Sequence, residues 1–253
     1  MEELSKADKK TIQTIERKFK KALVDYRLIE ENDHILIGLS GGKDSLALVE
    51  LIGKTIKISK QNFKATAIHV SVENISYQSD LEYLKAHCIH SGIEFIHAST
   101  HFDIRENNSK SVCYLCSSQR RKIIFEVAKQ LGCNKVALGH HLDDAVETLI
   151  MNMVFQGAFS SMPPKIQFDK FDMTIIRPLS LISERELLEM ERIRNYNKQL
   201  KNCPYEKDSY RKNAKGFIKE LEKWHPNVRQ NLWASMQNIK SEYLVNKDPG
   251  AVK

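Results

Sequence analysis

The chain predicts an α/β fold, a mostly parallel sheet with helices on both faces, and two observations lead there. Short β-branched and aliphatic runs alternate with stretches of helical period over most of the 253 residues. That βαβα order lays parallel strands side by side and puts crossover helices on both faces. In addition, the first apolar run leads straight into Gly41 and Gly42 and then into a new apolar-periodic stretch, giving strand, tight loop and helix in succession.

Taken in order, Thr11 to Leu28 predicts a basic amphipathic helix, with Ile12, Ile15, Phe19, Leu23 and Tyr26 on the stripe that packs on the core. His34 to Leu39 is the first strand and Leu46 to Ile52 the helical stretch after the glycines. Further strands are expected at Ala65 to Val72, Ile93 to Ala98, Lys135 to Gly139 and Met173 to Ile176. Arg177-Pro178 breaks the pattern, and Ser183 with Glu186 three residues on forms a capping box that opens another helix. The organisation expected is an N-terminal helix in 1–32, a core with a CxxC insertion in 33–180 and a helical C-terminal region in 181–253.

Composition narrows the class. With 42% hydrophobic and 28% charged residues the chain is an ordinary globular protein rather than a disordered one. No run approaches the roughly 18 to 20 apolar residues of a membrane span, and MEELSKADKK has no apolar signal segment, so a cytoplasmic, non-membrane protein is expected. Five cysteines in that compartment point to metal binding or catalysis more than to disulfides. The net charge of +7 favours an anionic partner or, equally, reflects lysine-rich solvated faces. Residues 198–229 carry nine Lys or Arg against four Asp or Glu, interleaved with Tyr205, Tyr210, Phe217 and Trp224, a combination that suits RNA. For Phe217, Leu221 and Trp224 the plainer reading, a buried stripe under a solvated helical face, is preferred.

The sharpest motif is HILIGLSGGKDS. Gly41 and Gly42 allow close backbone approach, so that successive N–H groups at a helix start surround phosphate oxygens, while Lys43 adds charge and Ser40 and Ser45 add hydroxyls. Its spacing is neither the three-glycine dinucleotide fingerprint nor the Gly-Lys-Ser/Thr P-loop. The motif resembles the SGGxDS loop of the PP-loop ATP pyrophosphatase superfamily, with its adenine nucleotide alpha hydrolase-like fold, whose members include GMP synthetase, lysidine synthetase and tRNA thiolases. That resemblance implies cleavage of ATP to AMP and pyrophosphate, with Ser40, Gly41, Gly42, Lys43, Asp44 and Ser45 holding the β and γ phosphates and Asp44 helping to place Mg2+. It also implies that Ala67 to Val70, Ala67 and His69 among them, lend backbone to an adenine pocket.

A second constellation, Gly139-His140-His141-Leu142-Asp143-Asp144-Ala145-Val146-Glu147-Thr148, falls at a strand end and helix start, where open parallel sheets bind ligands. A hydrolase metal site is the weaker reading, because a phosphohydrolase does not need the glycine loop. The GHHxDDxxET pattern resembles the tRNA-modifying branch of the superfamily. Asp144 is the expected residue near the reacting centre, with Asp143 and Glu147 supporting and a plain N-cap role open to Asp143.

The third constellation is Cys113-Tyr114-Leu115-Cys116, followed by Arg120 and Arg121. A CxxC serves redox, zinc or iron–sulfur chemistry, and its partner decides which. Cys88, within a helical stretch, and Cys133, just before a strand, look buried and inert. Cys203, in a basic stretch ahead of Pro204, looks more like a ligand, and no second CxxC completes a zinc ribbon.

Taken together with Met162-Pro163-Pro164 and Arg177-Pro178-Leu179, these motifs closely resemble the tRNA 2-thiocytidine synthetase (TtcA) family from roughly His34 to Arg211. The resemblance implies that ATP adenylates the C2 oxygen of an anticodon-loop cytidine and that sulfur displaces AMP, with Cys113, Cys116 and Cys203 binding a [4Fe-4S] cluster. Asp44, Asp144 and Arg120 are then the catalytic candidates and Gly139 part of the nucleotide site. A tRNA and a sulfur donor, cysteine desulfurase or free sulfide, are the partners, and there is room for a homodimer. The rivals are a 2-thiouridine synthetase, a cluster-free ligase resembling lysidine synthetase, and a non-catalytic iron–sulfur RNA-binding protein.

Overall fold

The computed structural model of the protein describes residues 4–74, 79–101, 112–168, 172–197 and 210–245. Cys203 lies outside them, as does Lys207. The chain divides into two compact units, Met1–Leu142 with Pro163–Asp208, and Asp143–Met162 with Ser209–Lys253.

The first unit is built on a six-stranded sheet in the order β3-β2-β1-β4-β6-β5. β1 (His34–Gly38), β2 (Lys64–Val72), β3 (Glu94–Thr100), β4 (Lys135–Ala137) and β6 (Met173–Ile176) are parallel, and β5 (Lys165–Phe168) runs antiparallel along β6. β5 goes unannounced in the sequence. It is a four-residue edge strand directly after two prolines, with its Ile166 exposed, too short for alternation to register. Because β1 pairs with β2 on one side and β4 on the other, the order reverses between β1 and β4. At such a reversal the crossover helices leave to opposite faces and open a crevice at the carboxyl ends of the strands.

Strand alternation divides the core. Ile35, Ile37, Ala67, Ala137 and Ile176 face one cluster with α1 (Lys6–Asp25), α2 (Lys43–Ile58), α3 (Leu81–Ser91) and α6 (Glu184–Arg194). Leu36, Ile68, Val70, Val136 and Ile175 face the other, where Phe125 and Ala128 of α4 (Val112–Gln130) pack. On α1 the predicted stripe holds: Ile12, Ile15 and Phe19 are buried and Leu23 and Tyr26 pack partly buried against them. The capping box also forms, with Ser183 Oγ accepting from Glu186 N at 3.3 Å and Glu186 accepting from Ser183 N at 2.9 Å. The CxxC sits in the first turn of α4. The interval between Cys113 and Cys116 is one helical turn, so a ligand-like spacing is also a helical one.

At the amino ends of β1 and β4, opposite the crevice, a buried Lys135–Asp33 pair, joined by the exposed Glu30, fixes the sheet. Lys135 Nζ lies 2.7 Å from Asp33 and 2.8 Å from Glu30, and donates to the Leu28 carbonyl at 3.2 Å. Asp33 also accepts from Glu30 N at 2.6 Å and Asn134 Nδ2 at 2.7 Å. Removing one partner strands a buried charge.

The second unit contains α5 (Leu142–Gln156) from Asp143 onward, α7 (Tyr210–Trp224) and α8 (Val228–Ser235). Here the preferred reading of the aromatic stripe is corrected. Phe217 is 52% exposed and Trp224 83% exposed, and the residues α7 buries are Ala214 and Ile218. The helix buries a narrow seam, and seven-residue spacing carries Tyr210, Phe217 and Trp224 along its edge. Among the described residues no helix is long and apolar enough to cross a membrane.

Lys135→Met should lower unfolding stability by about 3–5 kcal/mol, because Asp33 stays buried without its cation. Asp33→Asn in the same chain should recover part of the loss. Urea unfolding of the three proteins checks this, and equal stability of the wild type and the Lys135 variant would remove the cluster from the account.

Candidate active site

The SGGKDS loop occupies the carboxyl end of β1, at the strand-order reversal. Gly41 takes φ 83°, a left-handed conformation that a side chain resists, and turns the chain back toward α2. Gly42 is the N-cap of α2 and offers no side chain to cap it, so the first N–H groups of the helix are left to an anion. The serines brace this opening. Ser45 Oγ donates to the Gly42 carbonyl at 2.9 Å, Ser40 and Ser45 share a hydrogen bond of 3.1 Å, and Ser40 Oγ accepts from Gly42 N at 3.3 Å. Lys43 Nζ lies 3.0 Å from Asp44, both side chains partly exposed at 17% and 29%.

Gly139, past the end of β4, closes the other side. A Cβ there would lie 3.2 Å from Ser45 N and 3.3 Å from the Asp44 carbonyl carbon, so glycine lets the β4 loop press against the first turn of α2. His140 and His141 follow directly, and Leu142 N donates to the Ile182 carbonyl at 3.0 Å.

On β2, Ala67 is fully buried, and His69 is paired in register with His97 of β3. The His69 ring points into the protein, its Nδ1 donating to the Leu39 carbonyl at 2.7 Å, just beneath the glycine loop. Burial pushes the pKa of this imidazole down; the bond to the Leu39 carbonyl opposes the shift, and Arg120 and His97 add to it. It is a neutral brace for the loop. Arg120 lies on the same α4 turns as Arg121. Arg177, whose Nη1 donates to the Pro163 carbonyl at 2.6 Å, has its pKa lowered by burial and then by Arg121.

Cys113 is exposed and Cys116 half-buried, one turn apart, which suits thiolates presented to a shared metal or cluster. The other two described cysteines differ. Burial pushes the thiol of Cys88 up to about 12 and that of Cys133 up to about 11, so neither makes a ready thiolate. Among the described residues no three His, Cys, Asp or Glu side chains group as a metal site. Cys203, the third cysteine of the expected set, lies outside the described residues.

In the second unit the acidic first turn of α5 meets arginines that the sequence reading did not single out for that role. Asp143 lies inside the helix rather than at its N-cap and pairs with Arg229 at 2.8 Å. Asp144 pairs with Arg211 at 2.7 Å, and Glu147 lies 3.8 Å from Arg211. Burial pushes Glu147 up to about 7; the positive charges of Arg211 and Lys215 oppose the shift, and Asp144 and Asp143 add to it. No local pattern announces pairs between residues 67 apart, as Asp144 and Arg211 are.

Comparison with known proteins gives this arrangement its class: residues 11–213 match the PP-loop domain family. A tRNA-cytidine(32) 2-sulfurtransferase of Geobacter metallireducens is 33% identical, over 95% of this chain and 95% of its own length. One from Sorangium cellulosum is 35% identical over 88% of this chain and 80% of its own length. The solved U34-tRNA thiolase NcsA of Methanococcus maripaludis, with its [4Fe-4S] cluster, superposes with a TM-score of 0.74 at 27% identity, covering 91% of this chain and 79% of that one. The chain belongs to the tRNA-cytidine(32) 2-sulfurtransferase (2-thiocytidine synthetase) family of PP-loop proteins.

The shifted Glu147 sets a pH dependence. Its carboxyl holds a proton more tightly in the folded chain than at the ordinary value of 4.5, so its contribution to stability is greatest below that value and is lost as pH rises to about 7. Between about pH 4.5 and pH 8 the wild type should lose on the order of 3 kcal/mol that Glu147→Gln keeps. Urea midpoints of both proteins across that range measure it, and parallel profiles would show that Glu147 does not titrate there.

Proposed function

We propose that this chain is an ATP-dependent tRNA sulfurtransferase that forms 2-thiocytidine at the position, 32, for which its relatives are named. The observation that carries the reading is the match to such a sulfurtransferase over nearly the full length of both chains. Uridine thiolation, the activity in the name of the structural neighbour, is the second reading, and that neighbour is the more distant of the two at 27% identity.

The geometry suits adenylation. The uncapped start of α2, with Ser40, Ser45 and Lys43 around it, binds the β and γ phosphates, and Asp44 helps to place Mg2+. The cytidine C2 oxygen attacks the α phosphorus and pyrophosphate leaves from the loop that holds it. Ala67 and His69 belong to the strand beside the adenine, and Gly139 shapes the floor under the phosphates. Asp144 acts near the reacting centre. Arg120 offsets negative charge that builds on the phosphates as pyrophosphate leaves. Cys113, Cys116 and Cys203 would hold a [4Fe-4S] cluster, which would supply a sulfur-carrying site; sulfide, either free or released from the persulfide of a cysteine desulfurase by a two-electron thiol reductant, replaces AMP at C2. The C-terminal region from residue 181, with Lys212, Lys215, Lys219 and Lys223 spaced every three or four residues on α7, contacts tRNA. A cytoplasmic site of action and a homodimer complete the reading.

Anaerobic assays with tRNA test it. Lys43→Ala and Asp44→Ala should each lower pyrophosphate release by about 100-fold or more, since each removes a charge aimed at phosphate or its metal. Cys113→Ser should lose the visible absorption of a thiolate-bound cluster and all sulfur incorporation, while ATP is still cleaved to AMP. Normal pyrophosphate release by both loop variants would contradict the assignment of the loop.

A further inference from the structure

Two arginines hold the acidic turn of α5, and they hold it differently. Arg229 is only 13% exposed and bridges the buried Asp143 at 2.8 Å and the part-exposed Glu222 at 2.7 Å, a clamp between two carboxylates. Arg211 is 44% exposed, reaches Asp144 at 2.7 Å, and stands 3.8 Å from Glu147, beyond hydrogen-bond range. One arginine is locked in place. The other makes one strong contact and remains open to solvent.

Arg211 also begins the basic run of α7, followed by Lys212, Lys215 and Lys219. A polyanion lying along that run meets Arg211 first or last in the row, and a phosphate matches the guanidinium fork at least as well as a carboxylate does. Arg211 is exposed enough, at 44%, for a phosphate to reach it without unfolding the helix, whereas Asp144 is only 15% exposed.

We infer that the Arg211–Asp144 ion pair is a substrate-responsive latch: it holds Asp144 until an RNA phosphate takes Arg211 and releases the carboxylate for the reaction. This rests on the proposed role of Asp144 and adds to it a coupling between the RNA-binding helix and the acidic turn. Arg211 acts as a positioning residue, through Asp144, and touches neither ATP nor the base. The near-neutral range of the Glu147 carboxyl fits such a device, since a proton on Glu147 leaves Asp144 as the anion that retains Arg211.

Pyrophosphate release by the full chain, with and without a tRNA carrying cytidine at position 32, tests the latch in the wild type and in Arg211→Ala. The expected result is a rise of about tenfold in the tRNA-independent rate of the variant, with the stimulation by tRNA reduced by the same factor, within the usual span of coupling between two sites. Arg211→Lys, which keeps the charge but loses the fork, should fall between the two and serves where the alanine variant does not fold. An unchanged ratio of stimulated to basal rate overturns the latch and leaves the proposed function standing, as does loss of both rates in a variant that melts like the wild type. A wild type that releases no pyrophosphate with any tRNA overturns the proposed function and the latch together.

Discussion

The close approach of Gly139 to Asp44 and Ser45 is the constraint around which the nucleotide end of the sheet is arranged. With a Cβ only 3.2 Å from Ser45 N, any larger residue would push the β4 loop away from the first turn of α2. The two strands between which the sheet order reverses thus end in loops that touch, and the open N–H groups of α2 lie between them. His69 supports the same turn from below through its bond to the Leu39 carbonyl. Opposite, the Lys135–Asp33–Glu30 cluster ties the amino ends of the same two strands. The central pair is fixed at both ends.

Much of this was legible in the sequence, for a physical reason. Ile35, Leu36 and Ile37 are buried on both faces of a parallel sheet, and such strands read as continuous apolar runs that need no alternation to be found. The glycine loop is a local device whose residues are contiguous, and so are the capping box at Ser183 and the acidic turn after His141. β5 was not legible, being short and on an edge. The CxxC did not announce its helix, because the spacing that presents two thiols is also one helical turn.

The second unit shows where local reading fails. Whether Phe217 and Trp224 are buried depends on what covers α7, and a helical period alone names a stripe without saying that anything packs on it. Arg211 and Arg229 looked like members of a basic stretch. Asp144 and Asp143, which they hold in the acidic turn, lie 67 residues and more away in the chain, and the raised pKa of Glu147 follows from burial that composition cannot reveal. In that unit two arginines of the basic stretch, Arg211 and Arg229, are also the charges that hold the acidic turn.

The central claim is the product. Transfer RNA lacking thiolation, incubated with the anaerobically prepared protein, ATP, Mg2+ and a sulfur donor, and then digested to nucleosides for mass spectrometry, tests it most directly. The account predicts 2-thiocytidine, formed only with ATP and mapping to position 32 of the tRNA, as in the names of the relatives. Appearance of 2-thiouridine in its place, or of lysidine, or of no modified nucleoside from a protein that carries its cluster and binds tRNA, would contradict it.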